Sequence, residues 1–394
     1  MSNESGAAEV VENVQSEVQT PQKETKPPIT EEFGPRESMP DFAFSLRNIA
    51  RGYRDIFNNV NDDGTFSDST AEQQAITKWQ NWHNTNFLPQ FVKGKEAETM
   101  IEIENKLAEV KNGTRFLTYQ DRSSLQEYFK RKHPTEKQAI DDVFADFDHD
   151  IDFVTGGMNQ AFSDDETART LFAEYRKKAV RKWPEEIIES TAQLFDNNSV
   201  SETYQPVQAA KEIRQLFDVI SRIGGAKFAM EVDTQTPFEE NISLVGNRLW
   251  FKRAIYNNTR NVHKYSERHK DTKRKFYNKL MFAKMANQLF IHAEDNRDGF
   301  RDQDLDLIDR NKSESVFTKT GVVIKRQQVF GRKIKGTESE GTKTEGKGLG
   351  MNILWHVFVN MHNGKVTVNN RLDKSGNPIG SNFYFFLPVE DKAA

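Results

Sequence analysis

Closely spaced glycines near the C-terminus are the first residues whose spacing suggests chemistry. The segment GTKTEGKG, from Gly341, nearly fits the phosphate-wrapping pattern GxxxxGK[ST], but Gly348 stands where Ser or Thr must follow the lysine. The preceding VFGRKIKGTESEGTKTE is polar and does not predict the strand that a P-loop needs. GKGLG (Gly346–Gly350) instead opens an amphipathic helix, which is predicted to stop at Asn363-Gly364 and to have an apolar face formed by Ile353, Leu354, Val357, Phe358 and Met361. Its glycines allow backbone N–H groups to approach an anion at the helix N-terminus.

A second group of polar residues shares one face of a helix predicted in GNRLWFKRAIYNNTRNVHKYSE. Asn257, Asn261 and Lys264 stand at positions i, i+4 and i+7. Two amides and an ammonium group so placed could hold a metal through a carbonyl oxygen and pair with phosphate oxygens. Polar helix surfaces also occur without function, so this face alone identifies no site. The core stripe of the same helix is predicted to be Phe251, Ile255 and Val262.

An acidic residue follows a predicted strand in NQLFIHAEDNRDGF. Leu289–Ala293 has the composition of a strand, and Asp295–Gly299 has that of the turn that leaves it. A carboxylate at the end of a central strand could accept a hydrogen bond from an adenine amino group.

His149 is the candidate nucleophile, in the segment DFDHDIDF. It lies two positions from Phe147 and from Ile151, about 200° around a helix from each, so it is expected to face water. Neighbouring carboxylates, Asp150 among them, can fix the imidazole tautomer and raise its basicity. The alternative is a plain surface histidine among acidic residues.

Composition excludes several classes of protein. The chain has 394 residues, no cysteine and a net charge of -4. Disulfides, thiolate catalysis and cysteine zinc sites are therefore ruled out, and no basic excess points to nucleic acid. The sequence predicts neither a signal peptide nor a membrane-spanning segment, so we expect a cytoplasmic protein that does not insert into a membrane.

The sequence that must position these residues divides into four predicted regions. Residues 1–40 are rich in Glu, Ser, Thr and Pro and predict a disordered tail. Residues 41–135 predict helices of unknown role. Residues 136–203 predict a helical hairpin, whose second helix has an apolar stripe at Trp183, Ile187, Thr191 and Leu194. Two copies of this hairpin would form a dimeric four-helix bundle. Residues 204–390 predict an α/β sandwich, which makes the whole chain α+β.

The motifs of the C-terminal region, taken in order, resemble a known family. YNNTRNVHKYS, EDNRDGF, GKGLGMNILWHVFVNMHNGKVTV and GSNFYFFLP are similar to the N, G1 and G2 boxes and the final strand of the sensor histidine kinase ATPase domain. The resemblance runs from about Pro206 to Pro388 and implies the Bergerat (GHKL) ATPase fold. HDI at His149–Ile151 resembles the first half of the phosphoacceptor H box.

The resemblance implies roles for individual residues. Asn261 is similar to the Mg²⁺-binding asparagine, Lys264 to a phosphate-contacting lysine, and Asp295 to the adenine-reading aspartate. The catalytic group would be His149, Asp150 and Asn257. The residues implied around ATP are Asn261, Lys264, Tyr265, Asp295, Gly299, Gly346, Lys347, Gly348, Leu349 and Gly350. Ser313 to Glu345 would form a mobile lid.

The implied activity is ATP- and Mg²⁺-dependent autophosphorylation of His149 in a homodimer, followed by transfer to a response-regulator receiver domain. The sequence departs from the family at Arg297, which replaces the first G1 glycine and could either obstruct the adenine pocket or stack over the ring. It departs again after HDI, where Asp152 and Val154 replace a basic residue and a proline. A GHKL ATPase without histidine phosphorylation and a non-catalytic scaffold are the alternatives.

Overall fold

The computed structural model describes ten ranges of the chain: residues 38–86, 100–111, 119–141, 178–196, 200–224, 227–235, 242–268, 273–318, 321–331 and 350–389. His149 and Asp150 lie outside these ranges, and so do Gly346, Lys347, Gly348 and Leu349. The predictions for these six residues therefore stay predictions.

Helices dominate the first half of the chain, and strands alternate with helices in the second half. The helices are α1 Pro40–Ile56, α2 Ser69–Asn86, α3 Met100–Lys111, α4 Tyr119–Lys132, α5 Lys178–Asp196, α6 Pro206–Gly224, α7 Arg248–Arg268, α8 Leu305–Ile308 and α9 Gly350–Trp355. The strands are β1 Glu202–Tyr204, β2 Phe228–Thr234, β3 Leu244–Gly246, β4 Phe276–Met285, β5 Gln288–Asp295, β6 Glu314–Phe317, β7 Val323–Arg326, β8 Lys365–Leu372 and β9 Pro378–Pro388.

The five-stranded sheet has the order β2-β4-β5-β9-β8. β2 runs parallel to β4, and the remaining neighbours are antiparallel. Alternation along β5 buries Leu289, Ile291, Ala293 and Asp295 on the same face of the sheet. α6 and α7 pack beside β2 and β4, and the helix that starts at Gly350 packs beside β8 and β9. This arrangement confirms the predicted α+β class.

Two predicted apolar stripes, on α7 and on the last helix, form the core beside the sheet. In α7, Phe251, Ile255 and Val262 are buried, as predicted. The buried stripe of the last helix consists of Ile353, Leu354, Val357 and Phe358. The Phe358 ring stacks on Phe385 of β9 at 4.2 Å. Beyond Trp355 the helix continues in π form over His356–Met361, which the sequence pattern did not predict. It ends before Asn363, where φ is positive, close to the predicted stop.

α5 is covered on two sides within its own chain. Trp183 packs against Tyr256 of α7, with ring centroids 4.9 Å apart, and Phe195 packs against Phe42 of α1 at 4.3 Å. Trp183, Ile187 and Thr191 of the predicted stripe are buried. This part of the stripe therefore needs no second copy to cover it. The four-helix bundle itself stays a prediction, because residues 142–177 lie outside the described ranges.

Charged side chains attach the N-terminal helices to α5. Arg47 of α1 pairs with Glu189 at 2.9 Å and with Asp196 at 2.6 Å. Arg181 of α5 donates to the carbonyl oxygens of Val60 at 2.6 Å and Asn61 at 2.8 Å, in the loop after α1. The described parts of residues 41–135 therefore pack on the helix that leads into the sheet domain. The predicted domain boundaries stay predictions.

Within the described ranges, no helix combines the length and the apolar composition needed to cross a membrane.

A buried histidine, His362, directly follows the π-helical part of the last helix. His362 Nδ1 is 2.9 Å from the carbonyl oxygen of Val357, and Nε2 is 2.8 Å from the hydroxyl of Tyr204. Because a carbonyl oxygen can only accept, Nδ1 carries the proton and Nε2 accepts from the tyrosine. Burial lowers the pKa of His362, and the bond to Val357 opposes this only in part.

We predict that this histidine makes stability depend on pH. Below about pH 6.5 the unfolded chain takes up a proton that the folded site resists, so the free energy of unfolding should fall as the pH decreases. The loss should reach about 1.4 kcal/mol for each unit by which the native pKa is lowered. Urea titrations between pH 5 and 8 would measure it.

His362→Gln should flatten this pH dependence. His292→Gln is the matched comparison, because burial also lowers the pKa of His292, and the double variant should lose both contributions. A slope in His362→Gln equal to that of the wild type would contradict the assignment.

Candidate functional site

The polar face of α7 meets the start of α9. Asn257 is 5% exposed, and its Nδ2 has no hydrogen-bond partner within the described part of the chain. Asn261, one turn later, is partly exposed, and a Cβ placed on Gly350 would lie 3.8 Å from Asn261 Nδ2. The structure therefore brings Asn261 close to Gly350, with Asn257 one turn earlier on α7. Two amides beside a helix N-terminus can bind oxygen atoms of an anion.

The last turn of α7 supports the loop after β5. Lys264 is partly exposed. Tyr265 is buried, its hydroxyl donates to Asp298, and its ring meets Phe276 edge-on at 5.4 Å. The structure thus places Tyr265 against the loop that follows Asp295, where it holds the loop in position.

Asp295 ends β5 on the helix-facing side of the sheet and is 2% exposed. Its Oδ1 accepts from the backbone N–H of Arg297 at 3.0 Å, and its Oδ2 accepts from Arg297 Nη2 at 2.8 Å. Arg297 therefore pairs with the carboxylate that was predicted to read adenine. The sequence left open how this arginine affects the pocket, and the structure shows that it occupies the carboxylate.

Arg274, just before β4, fastens the loop of residues 296–299 from outside. Its Nη1 donates to Asp298 Oδ1 at 2.8 Å, and its Nη2 donates to the Asn296 carbonyl. Asn296 Oδ1 in turn accepts from the Tyr277 backbone N–H at 2.8 Å. Sequence reasoning missed Arg274, since nothing in the spacing of its neighbours relates it to a loop more than twenty residues later.

β8 and β9 hold the same loop from inside. Gly299 has φ +73°, and a Cβ there would lie 2.7 Å from the Gly380 carbonyl oxygen. A Cβ on Gly380 would lie 2.0 Å from the Asp295 carbonyl oxygen. Asn370 accepts from the Phe300 N–H at 2.7 Å and donates to the Phe300 carbonyl at 2.8 Å. Gly299 was named from the sequence, whereas Gly380 and Asn370 were missed, although Gly380 opens the segment GSNFYFFLP that carried part of the resemblance.

A buried polar layer ties α7 to the sheet. Asn278 of β4, directly opposite Asp295 in the register, donates to Asn258 Oδ1 at 3.1 Å and to Thr259 Oγ1 at 2.8 Å. These bonds fix the helix that carries Asn257 and Asn261 relative to the strands that carry Asp295. The two ends of the candidate site are therefore held by one hydrogen-bonded frame.

The segment predicted as a lid begins as a packed hairpin. Gln327, after β7, donates to the Val368 carbonyl at 2.9 Å and accepts from the Val368 N–H at 2.9 Å. Phe330 is buried against Trp355, with ring centroids 6.0 Å apart. The end of this hairpin, at Gln327 and Phe330, is therefore packed on the core, whereas Phe317, Val322 and Val323 farther out are exposed. The lid prediction remains for residues 332–345, which lie outside the described ranges.

Comparisons with known proteins find similarity in structure only. No protein-family model matches the sequence, and no curated protein does. The chain is similar to the catalytic domain of histidine kinase ThkA at 16% identity and a TM-score of 0.32, over 48% of this chain and 95% of that one. It is similar to the mycobacterial sensor histidine kinase MprB at 18% identity and a TM-score of 0.33, over 48% and 99%.

A longer match is the histidine kinase ThkA in complex with its response regulator protein TrrA, at 15% identity and a TM-score of 0.34, over 69% of this chain and 68% of that one. The histidine kinase domain of the E. coli osmosensor EnvZ matches at 17% identity and a TM-score of 0.30, over 49% and 91%. TM-scores this low carry no argument about what this chain binds or catalyses.

Two glycine substitutions should differ in their effect on stability. Gly380→Ala places a methyl group against the backbone of Asp295, which cannot move without breaking the sheet, so we expect a loss of at least about 2 kcal/mol. Gly350→Ala meets no atom closer than 3.8 Å and should leave the free energy of unfolding nearly unchanged. Thermal and urea unfolding would measure both. Equal stability of the two variants would show that Gly380 does not fix this loop.

Proposed function

We propose that the chain is an ATP-dependent protein-histidine kinase that phosphorylates its own His149. The observation that supports this best is the buried, unpartnered Asn257 Nδ2 beside Asn261, at the start of α9. A buried donor without a partner is costly, and at this position an oxygen atom of a bound ligand could accept its hydrogen bond. The predicted glycine segment Gly346–Gly350 leads directly into this point.

The phosphate end of the site fits Mg²⁺-ATP. The amide oxygen of Asn261 would bind Mg²⁺, and Asn257 Nδ2 would donate to a phosphate oxygen or to water on the metal. Backbone N–H groups from Gly346 to Gly350 would face the phosphates, with the cations of Lys264 and Lys347 nearby. Each of these groups offers the charge or the donor that a metal-bound triphosphate requires.

The end of the site that would bind adenine fits ATP less well than the phosphate end does. Asp295 would accept the adenine amino group, yet its carboxylate already pairs with Arg297. Adenine must therefore displace the guanidinium group or do without this hydrogen bond. This contact is also what favours the second candidate, a non-catalytic scaffold that binds nucleotide weakly.

Bound ATP would supply the phosphoryl group, and residues of the hairpin would receive it. A nitrogen of His149 attacks the γ-phosphorus in line, the N–P bond forms, and the bond to the bridging oxygen of ADP breaks. Asp150 would act either as the base that takes up the imidazole proton or as the group that orients the ring. Catalysis of this kind rests mainly on positioning and charge neutralisation.

The phosphoryl group would then pass from His149 to an aspartate on a separate response-regulator receiver domain. The motif resemblance implies this acceptor and a homodimer, and we also propose the cytoplasmic location expected from the sequence. A GHKL ATPase that transfers the phosphoryl group to water is the remaining alternative.

Labelling with γ-³²P-ATP tests the proposal. We expect acid-labile, base-stable label on the wild type and none on His149→Gln, because the variant lacks the accepting nitrogen. His133→Gln, a partly exposed histidine of the N-terminal half, is the control and should be labelled normally. ATP hydrolysis without protein label would favour the ATPase, and neither activity would favour the scaffold.

The metal assignment has a separate test. Asn261→Asp should abolish the rise in melting temperature that Mg²⁺-ATP gives, because a carboxylate at this position repels the phosphates and removes the amide donor. Asn311→Asp, an exposed asparagine in the same domain, is the charge-matched control. Unchanged protection in Asn261→Asp would remove this residue from the site.

A further inference from the structure

The carboxylate of Asp295 uses both of its oxygens on a single residue. Oδ1 accepts from the Arg297 backbone, and Oδ2 accepts from the Arg297 guanidinium at 2.8 Å. The first bond would persist with any residue other than proline at position 297, because it comes from the backbone. The second depends on the arginine side chain alone. That second oxygen is the acceptor an adenine amino group would require.

Burial makes this ion pair hard to replace. The side chain of Asp295 is 2% exposed and that of Arg297 is 19% exposed, so the pair is largely shielded from water. A buried carboxylate that loses a charged partner becomes costly unless an equally good donor replaces it. The adenine amino group is a neutral donor and stabilises the carboxylate less than the guanidinium does.

The loop itself does not depend on the Arg297 side chain. Arg274 and Tyr265 bind Asp298, Asn296 bonds to the start of β4, and Asn370 bonds to Phe300 on the other side. These contacts would remain if the side chain of Arg297 were removed. A substitution at position 297 therefore changes the occupancy of Asp295 without dismantling the loop.

We propose that Arg297 determines nucleotide specificity by occupying the base-reading oxygen of Asp295. The inference rests on the proposed nucleotide site and concerns its base end. While the guanidinium holds Asp295, binding relies on the phosphates and distinguishes poorly between adenine and guanine. Only the fraction of molecules in which Arg297 has moved away can read the adenine amino group, and the apparent affinity for ATP falls by that fraction.

A double-mutant cycle tests this with four proteins: wild type, Arg297→Gly, Asp295→Asn and the double variant. Dissociation constants for Mg²⁺-ATP and Mg²⁺-GTP would be measured by calorimetry. Arg301→Gly is the matched control, since it removes an exposed arginine from the same loop region. Urea unfolding of each protein would check that the fold is kept.

We expect Arg297→Gly to bind Mg²⁺-ATP about tenfold more tightly and Mg²⁺-GTP with little change. Asp295→Asn should cost little in the wild type and about tenfold for ATP when Arg297 is absent. This non-additivity would identify competition for Asp295, because a merely structural role for Arg297 would weaken the binding of both nucleotides alike.

Two results would overturn the proposal while leaving nucleotide binding intact. The first is unchanged or weaker ATP binding in Arg297→Gly, which would mean that the arginine is neutral or stacks on the base. The second is an additive cycle. If neither the wild type nor Arg297→Gly binds Mg²⁺-ATP, the proposed kinase fails together with this inference.

Discussion

The packing of α5, α6 and α7 depends on a buried cation, the ammonium group of Lys252. Residues 251–260 of α7 are buried without a break, so this helix has no solvated face over nearly three turns. The ammonium group of Lys252 lies inside this stretch, pairs with Glu212 of α6 at 2.9 Å and also contacts Glu186 of α5. A buried ammonium group is costly when its carboxylate partners are absent, so three helices must meet in one arrangement.

On its other sides α7 is held by hydrogen bonds to neutral side chains. Arg253 donates to Thr191 of α5 at 2.7 Å, and Asn258 accepts from Asn278 of the sheet. α7 is thus anchored on both flanks, and its remaining polar face carries Asn257 and Asn261. Asn257 Nδ2 is one of several buried polar atoms without a hydrogen bond in the described structure, and it is the one that stands on the polar face where the site is proposed.

Periodic features of the sequence predicted the helices and the central strand well. The stripes of α7 and the last helix, the strand before Asp295 and the shared face of Asn257 and Asn261 all follow from local spacing. Gly380 and Arg274 escaped prediction because their roles depend on contacts with a loop distant in sequence. The pairing of Asp295 with Arg297 was likewise beyond reach, since a sequence shows proximity along the chain but not which rotamer the side chain adopts.

The contacts between α5 and α7 also determine how the two helices can move. Asn247 donates to Gln193 at 2.7 Å and Arg253 reaches Ser190 and Thr191, so the two helices are joined along several turns. A tilt of α5 would carry the asparagine face of α7 with it. Because Arg47 of α1 pairs with Glu189 and Asp196 of α5, side-chain contacts connect the N-terminal helices through α5 to the helix that carries the two asparagines.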